Sequence, residues 1–153
     1  MKRIPSFSID HTRLKKGLYP SRQDDDVMTW DVRMKEPNHG DYLSQPALHT
    51  IEHLFATWAR NSEFRDSVIY VGPMGCRTGF YIILRDSVSR ADAIRLVRDS
   101  FRFIADYSGE IPGAKASECG NCIDHDLLGA RRVARELLPV LEGWTEDRLE
   151  YGV

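Results

Sequence analysis

Residues 49–53 are HTIEH and place two imidazoles and a carboxylate in an otherwise apolar stretch. On a helix, His49 and His53 project from one face because they are four residues apart, and Glu52 lies beside them but offset around the axis. Such groups are costly to bury unless a partner satisfies them, and a metal ion does so. The pattern H-x-x-E-H is the inverted form of a zinc-peptidase motif whose glutamate is a base and not a ligand. It predicts a metal site, with a hydrogen-bonded pair of core histidines as the competing interpretation.

A third protein ligand is needed, because zinc-type catalytic centres use three protein ligands and keep a fourth position for water or substrate. Two neighbouring residues, Glu118 and Cys119, are the candidates. A thiolate is the softer and stronger donor for a borderline ion, and Gly120 lets the backbone bend close to a metal. These properties favour Cys119.

Cys122 forms a C-x-x-C pair with Cys119, a spacing shared by redox pairs and by halves of four-cysteine zinc knuckles. The chain contains no second C-x-x-C, which excludes the knuckle. The surrounding residues also lack the strand-to-helix placement of a thioredoxin-like pair. We therefore interpret Cys122 as a bystander, with redox activity as the less favoured alternative.

Cys76 lies in the segment GPMGCRTG, between glycines and next to Arg77. A positive neighbour favours the thiolate and suits a residue that carries protons. The competing interpretation is a small buried hydrophobic residue at a strand turn.

The elements that must position these residues follow from the spacing of apolar and turn-forming residues. Apolar residues at helical spacing predict a helix from Gln45-Pro46 to about Arg60, with the proline in its first turn. The other predicted elements are strands at 27–33, 67–72 and 78–85, a helix from the N-cap Ser89 to about Tyr107, and a helix over 126–138 that Pro139 limits. Because strands and helices do not alternate regularly, we expect a single α+β domain over residues 1–153, with an antiparallel or mixed sheet packed against helices.

Length and composition agree with one domain, since 153 residues with 42% apolar side chains can build a core without disulfides. Lys and Arg number 21 against 23 Asp and Glu, so no strong field attracts nucleic acid or an anionic membrane. The N-terminus has no apolar run of signal-peptide length, and the longest apolar segment, at 80–84, is too short to span a bilayer. We therefore expect a cytoplasmic protein, in which three cysteines more often mean metal or catalysis than disulfides.

Five ordered blocks resemble the LuxS family of S-ribosylhomocysteine lyases and together extend over nearly the whole chain. They are SFSIDHT at 6–12, DVR before PN at 31–38, HTIEHLFATWARN at 49–61, PMGCRTGFY at 73–81, and ECGN followed by HDL at 118–127. The family fold is a compact α+β unit, in agreement with the element pattern.

Carried over position by position, the resemblance implies a role for each matching residue. The implied metal ligands are His49, His53 and Cys119, the general acid/base residues are Glu52 and Cys76, and the substrate contacts are Ser6, His11, Arg33 and Arg60. It also implies a homodimer with two sites at the interface, in which Ser6, His11 and the Arg33 region reach into the partner's site.

The implied reaction converts S-ribosylhomocysteine into homocysteine and 4,5-dihydroxy-2,3-pentanedione, the precursor of the autoinducer-2 quorum-sensing signal. The resemblance implies one divalent metal per subunit, Fe(II) in the cell and Zn(II) in purified protein, whereas a His/His/Cys site alone would have suggested zinc. The chain departs from the family at Tyr70 and Gly72, where relatives often have Asp and Ser, and at Cys122. The first two positions bear on how the homocysteine part is recognised.

Two rival functions follow from the same residues. An inverted-motif zinc peptidase would use Glu118 as its third ligand and Glu52 to activate water, although a short single domain offers little room for a peptide. A non-catalytic metal or redox module would instead be built on Cys119 and Cys122.

Overall fold

A four-stranded antiparallel sheet and three helices form the fold, which the computed structural model describes for residues 1–152. The sheet order is β1-β2-β4-β3, with every neighbouring pair antiparallel. The strands are β1 (Gly17–Asp24), β2 (Val27–Arg33), β3 (Val68–Pro73) and β4 (Gly79–Arg85), and the helices are α1 (Gln45–Asn61), α2 (Arg90–Asp106) and α3 (Leu127–Glu142). This arrangement confirms the predicted α+β class.

One face of the sheet packs against the helices because strand side chains alternate between the two faces. On β2, Trp30 and Val32 are buried, and on β4 their neighbours Phe80 and Ile82 are fully buried. Phe55 of α1 lies over this face, with its ring centroid 6.2 Å from that of Phe80. The core between sheet and helices therefore holds α1, which carries the HTIEH motif, in a fixed position.

Each of the three long helices begins at a side-chain cap. The side chains of Ser44, Ser89 and Asp126 each accept a hydrogen bond from the backbone N–H three residues further on. The cap at Ser89 and the proline in the first turn of α1 were both predicted from the sequence. These caps satisfy backbone donors that the first turn of a helix leaves without partners.

Two expectations were incomplete or wrong. Strand β1 was not predicted, because Pro20 and its charged end obscure the alternation, and its register shifts between Pro20 and Arg22. Pro139 does not end the third helix, which continues to Glu142. The proline is exposed, whereas Leu141 beyond it is fully buried, so burial of the last turn outweighs the hydrogen bond lost at the proline.

None of the helices within residues 1–152 combines the length and the apolar character needed to cross a bilayer.

Replacing Phe101 tests the packing between α2 and α1. Its side chain is fully buried and its ring centroid is 5.2 Å from that of Phe55. We expect Phe101→Ala to lower the free energy of unfolding by about 3–5 kcal/mol in urea denaturation, because it leaves a cavity in the core. Leu128→Ala on α3, where the side chain is 75% exposed, is the control and should change it by about 0.5 kcal/mol or less. Equal effects of the two substitutions would contradict this core assignment.

Candidate metal centre

Four side chains bring nitrogen and sulfur donor atoms close together: His49, His53, Cys119 and His125. Their ligand atoms all lie within 4.8 Å of one another, and all four residues are half-buried. The histidines of the motif come from the first half of α1, whereas Cys119 and His125 come from the segment between α2 and α3. The structure thus brings together the three residues singled out as ligands and adds a fourth donor.

The two histidines of α1 have one ring nitrogen committed to a backbone oxygen. Nδ1 of His49 lies 2.8 Å from the carbonyl oxygen of Asp124, and Nδ1 of His53 lies 2.7 Å from that of Pro112. A carbonyl oxygen only accepts, so each Nδ1 carries the proton and each Nε2 presents a lone pair. Metal-binding histidines usually show this arrangement, in which the second nitrogen donates to a fixed acceptor.

His125 has the same tautomer for a less direct reason. Its Nδ1 lies 3.1 Å from the hydroxyl oxygen of Thr50. That hydroxyl donates its single hydrogen to the carbonyl of Pro46 at 3.0 Å, so it accepts from the imidazole and also from the N–H of Asp126. The proton of His125 therefore resides on Nδ1 as well.

The Nε2 atom of His125 is buried and has no hydrogen-bond partner among residues 1–152. Burial lowers the pKa of His125, and the neighbouring His49 and His53 lower it further, so the imidazole is neutral at pH 7. A buried acceptor without a partner is costly, and a cation close to it would remove that cost. The donor set therefore fits a divalent ion of borderline softness.

Ring orientations separate the four donors into two roles. The rings of His49 and His53 are nearly perpendicular, at 86° with centroids 4.7 Å apart, so both ring planes can contain one ion. The sulfur of Cys119 lies 3.4 Å from Nε2 of His49, close to the spacing of about 3.6 Å expected for tetrahedral bonds of normal length. His125 instead stacks on His49 with centroids 4.0 Å apart and an angle of 19°. Two stacked rings cannot both direct an in-plane lone pair at one ion, so His49, His53 and Cys119 form the better ligand set.

Backbone contacts hold the segment that carries Cys119 against α1. Gly113 has a φ of +69°, and a Cβ at this position would lie 3.3 Å from Nδ1 of His53, so glycine permits the close approach of this segment. The N–H of Asn121 points at the sulfur of Cys119 from 3.4 Å, a contact that stabilises a thiolate. The N–H of Asp126 also bonds to the carbonyl of Pro46 in the first turn of α1.

Glu118 and Cys122 lie outside the donor cluster. Both line an open cleft of about 610 Å³ that also contacts His125 and residues 110–115. Glu118 is exposed, and Cys122 is half-buried with a free thiol. The cluster therefore includes Cys119 and not the neighbouring carboxylate.

Cys76 is exposed on the turn between β3 and β4, so the interpretation as a buried hydrophobic residue is wrong. The turn is attached to the segment preceding α1, because the N–H of Leu43 donates to the carbonyl of Arg77 at 2.9 Å. The guanidinium of Arg77 donates back to the carbonyl of Leu43 at 3.4 Å. The thiol thus lies on a turn fixed beside the N-terminal end of α1, the end that carries His49, while Glu52 is half-buried one turn further along.

The two arginines expected to contact substrate both have partners within the chain. Arg33 is buried and makes two hydrogen bonds to the carboxylate of Asp31, at 3.1 and 2.6 Å. Arg60 donates to the backbone carbonyls of Val68 and Ile69. Their roles as substrate contacts remain predictions.

The N-terminal residues Ser6 and His11 also remain predictions as substrate contacts. Ser6 lines a cleft of about 360 Å³ together with Thr29 and Tyr81, and none of the four donor residues lines that cleft. His11 is half-buried, with Nδ1 2.9 Å from the carbonyl of Ile9.

The fold and the cluster define a class: a small α+β protein with a His/Cys cluster that could hold a metal ion, and with an exposed thiol on a turn bonded to the segment before α1. The profile of the LuxS family, described as S-ribosylhomocysteinase, matches residues 4–148. The chain belongs to this family. It is 49% identical to the S-ribosylhomocysteine lyase of Phocaeicola vulgatus, across 99% of this chain and 98% of that protein. It is 46% and 43% identical to the proteins of the same name from Porphyromonas gingivalis and Clostridium acetobutylicum, each across 99% of both chains.

His125 is the residue of the cluster that the sequence patterns did not select. It falls within the HDL block that resembles the family, six residues after Cys119. No regular spacing links it to His49 or His53, and only the fold of the segment after α2 brings it to them. A third histidine close to a candidate cysteine ligand was the available signal.

The two cysteines of the C-x-x-C pair give a matched test of the centre. We expect Cys119→Ala to weaken binding of Zn(II) or Co(II) by more than the roughly 10- to 100-fold loss typical of changes outside the ligand shell. Cys122→Ala should leave the affinity within about threefold of the wild type, because its sulfur is not in the cluster. Competition with a chromophoric chelator measures both constants. A redox or metal module built on both thiols predicts equal losses instead.

Proposed function

We propose that this chain cleaves S-ribosylhomocysteine to homocysteine and 4,5-dihydroxy-2,3-pentanedione. The observation that carries the proposal is the convergence of the donor atoms of His49, His53 and Cys119 in a chain of the LuxS family. The relatives described above are named S-ribosylhomocysteine lyases, which supports the carbon–sulfur lyase activity. The exposed thiol of Cys76, on a turn that is hydrogen-bonded to the segment before α1, supports the same assignment.

The reaction moves a carbonyl group along the ribose chain from C1 to C3 by two proton shifts, without net oxidation or reduction. Each shift removes a proton from the carbon next to the carbonyl group and adds a proton to the former carbonyl carbon. With the carbonyl at C3, loss of a proton from C4 expels the homocysteine sulfur from C5, because that sulfur is β to the carbonyl. A divalent ion held by His49, His53 and Cys119 supplies Lewis acidity toward the sugar oxygens and so acidifies the adjacent C–H bonds.

Glu52 and Cys76 are the groups that we assign to these proton transfers. A carboxylate and a thiolate both take up and return protons, as successive shifts require. Glu52 precedes the ligand His53 on α1, and Cys76 lies on the turn attached to the N-terminal end of that helix. We assign substrate binding to two arginines. Arg33 donates a hydrogen bond to Thr78 at the end of this turn, and Arg60 lies near the end of α1.

The identity of the metal and the cellular setting belong to the same proposal. We propose Fe(II) in the cell, as the resemblance to the family implies, and Zn(II) in purified protein, the ion that two imidazoles and a thiolate by themselves favour. Ligand and acid/base cysteines need a reducing compartment, which favours the cytoplasm. The dihydroxypentanedione product would then be available as the precursor of autoinducer-2.

Tyr70 and Gly72 form a coupled departure from the family pattern. A Cβ at Gly72 would lie 2.2 Å from the hydroxyl oxygen of Tyr70, so the tyrosine ring covers the place of any side chain at position 72. Tyr70 is 50% exposed. We propose that this ring takes over part of the homocysteine recognition that polar residues provide in relatives.

We also propose a homodimer formed through the sheet face that the helices leave uncovered. Cross-strand neighbours on this face include Thr29, Ile83 and Tyr70, which are only partly buried or exposed. The N-terminal segment adds two exposed apolar side chains, Ile4 and Phe7, on either side of Ser6. If a second copy covers these groups, Ser6 and His11 of one subunit would lie near the donor cluster of the other subunit.

Substitution of the two acid/base residues tests the chemistry separately from metal binding. We expect Glu52→Gln and Cys76→Ala each to lower the rate of homocysteine release from S-ribosylhomocysteine by about 10²- to 10⁴-fold, since each removes a proton carrier. Metal content should stay near one ion per chain because neither residue is in the donor cluster. A thiol assay on anaerobically prepared protein gives the rate, with Glu118→Gln and Cys122→Ala as matched controls. Near wild-type turnover in either acid/base variant would remove that residue from the mechanism, and peptide hydrolysis without thiol release would favour the peptidase.

Mixing two inactive variants tests the shared site. If His11 acts in the partner's site, a heterodimer of His11→Ala and Cys76→Ala chains contains one intact site and one doubly altered site. After unfolding and refolding of an equimolar mixture, we expect about a quarter of the wild-type activity. If His11 acts within its own chain, every site in the mixture stays defective and no activity returns. Light scattering on the same samples reports the oligomeric state.

A further inference from the structure

Thr78 is a buried residue between the most buried charged pair of the sheet and the exposed thiol. Its side chain is 1% exposed, and it immediately precedes β4. Its hydroxyl oxygen lies 2.7 Å from a guanidinium nitrogen of Arg33 and 3.0 Å from the sulfur of Cys76. No motif or family block led to this threonine as a functional residue.

The contact with Arg33 leaves the hydrogen of this hydroxyl available for the sulfur. The guanidinium of Arg33 can only donate, so the hydroxyl oxygen of Thr78 accepts from it. The single hydrogen of the hydroxyl is then free for the other neighbour, which is the sulfur of Cys76. A thiolate accepts such a bond more strongly than a neutral thiol does, so the contact can orient the sulfur.

Two sets of contacts hold Thr78 in place, one through Arg33 and one through its own backbone carbonyl. Arg33 is held by two hydrogen bonds to Asp31, whose carboxylate also accepts from the hydroxyl of Tyr151 at 3.0 Å. The backbone carbonyl of Thr78 accepts from the N–H groups of Met34 and Lys35, both at 2.9 Å. A side chain held in this way can orient a thiol that is itself on an exposed turn.

We propose that Thr78 is a positioning residue for Cys76: the hydroxyl of Thr78 links the guanidinium of Arg33 to the sulfur and holds the sulfur in one orientation. The role of Cys76 in proton transfer rests on the proposed function, whereas the contact between Thr78 and Cys76 does not. The charged and titratable groups around the sulfur are Arg77, which follows it on the same turn, Arg33 on β2 and the phenol of Tyr81 on β4. Burial raises the pKa of Tyr81, and the charge of Asp31 raises it further, so this phenol is neutral near pH 7.

The rate of alkylation of Cys76 by iodoacetamide tests the proposal without any need for lyase activity. Metal-loaded protein is treated over a range of pH, and peptide mapping by mass spectrometry separates Cys76 from Cys119 and Cys122. We expect Thr78→Val to slow alkylation of Cys76 roughly tenfold at pH 7 and to move the rate–pH profile to higher pH, because the thiolate loses a donor. Thr78→Ser retains the hydroxyl and should stay within about twofold of the wild type.

Three results would overturn the proposal. One is an unchanged profile in Thr78→Val. Another is an equal change in Thr78→Ser and Thr78→Val, which would indicate packing by the methyl group instead of the hydroxyl. A third is loss of the near-ultraviolet circular dichroism of the folded protein in Thr78→Val together with its retention in Thr78→Ser, since the hydroxyl would then serve the fold. Failure of the proposed function has a different signature, namely retained homocysteine release in Cys76→Ala.

Discussion

The hydrogen bonds that hold three imidazoles in a single tautomer are the constraint on which the centre depends. Each Nδ1 donates to an oxygen, and each Nε2 therefore presents a lone pair to the same small volume. A thiol sulfur completes the cluster. Lone pairs held together in a partly buried site repel one another unless a cation lies between them, so the protein environment creates the affinity for an ion before any ion binds.

The polar groups of this protein are divided between two structural layers. The helix α1 and the segment after α2 supply the donors for the ion, whereas β2 and the turn between β3 and β4 supply a second polar chain from Asp31 through Arg33 and Thr78 to Cys76. The two systems meet where the turn contacts the residues before α1. The groups on the turn and on the segment after α2 are held by hydrogen bonds to β2, to α1 and to the residues before α1, which suits a reaction made of several proton transfers on one substrate.

Much of the site could be predicted because its parts are local in sequence. The spacing of His49 and His53, the caps of α1 and α2 and the turn around Cys76 all depend on residues a few positions apart. Strand β1 was missed because its proline and charged end hide the alternation, although pairing with β2 stabilises it. Helix α3 passes through Pro139 because burial of Leu141 matters more than one backbone hydrogen bond.

The sequence by itself determined the helical metal motif, the α+β class and the kinship with a family of lyases. Only the tertiary structure decided that His125 joins the cluster, that Glu118 stays outside it, and that Thr78 connects a buried arginine to the thiol. The physical reason is distance along the chain. Thr50 and His125 are 75 positions apart and Arg33 and Thr78 are 45 apart, so their contacts arise only when the sheet and helices pack around one core.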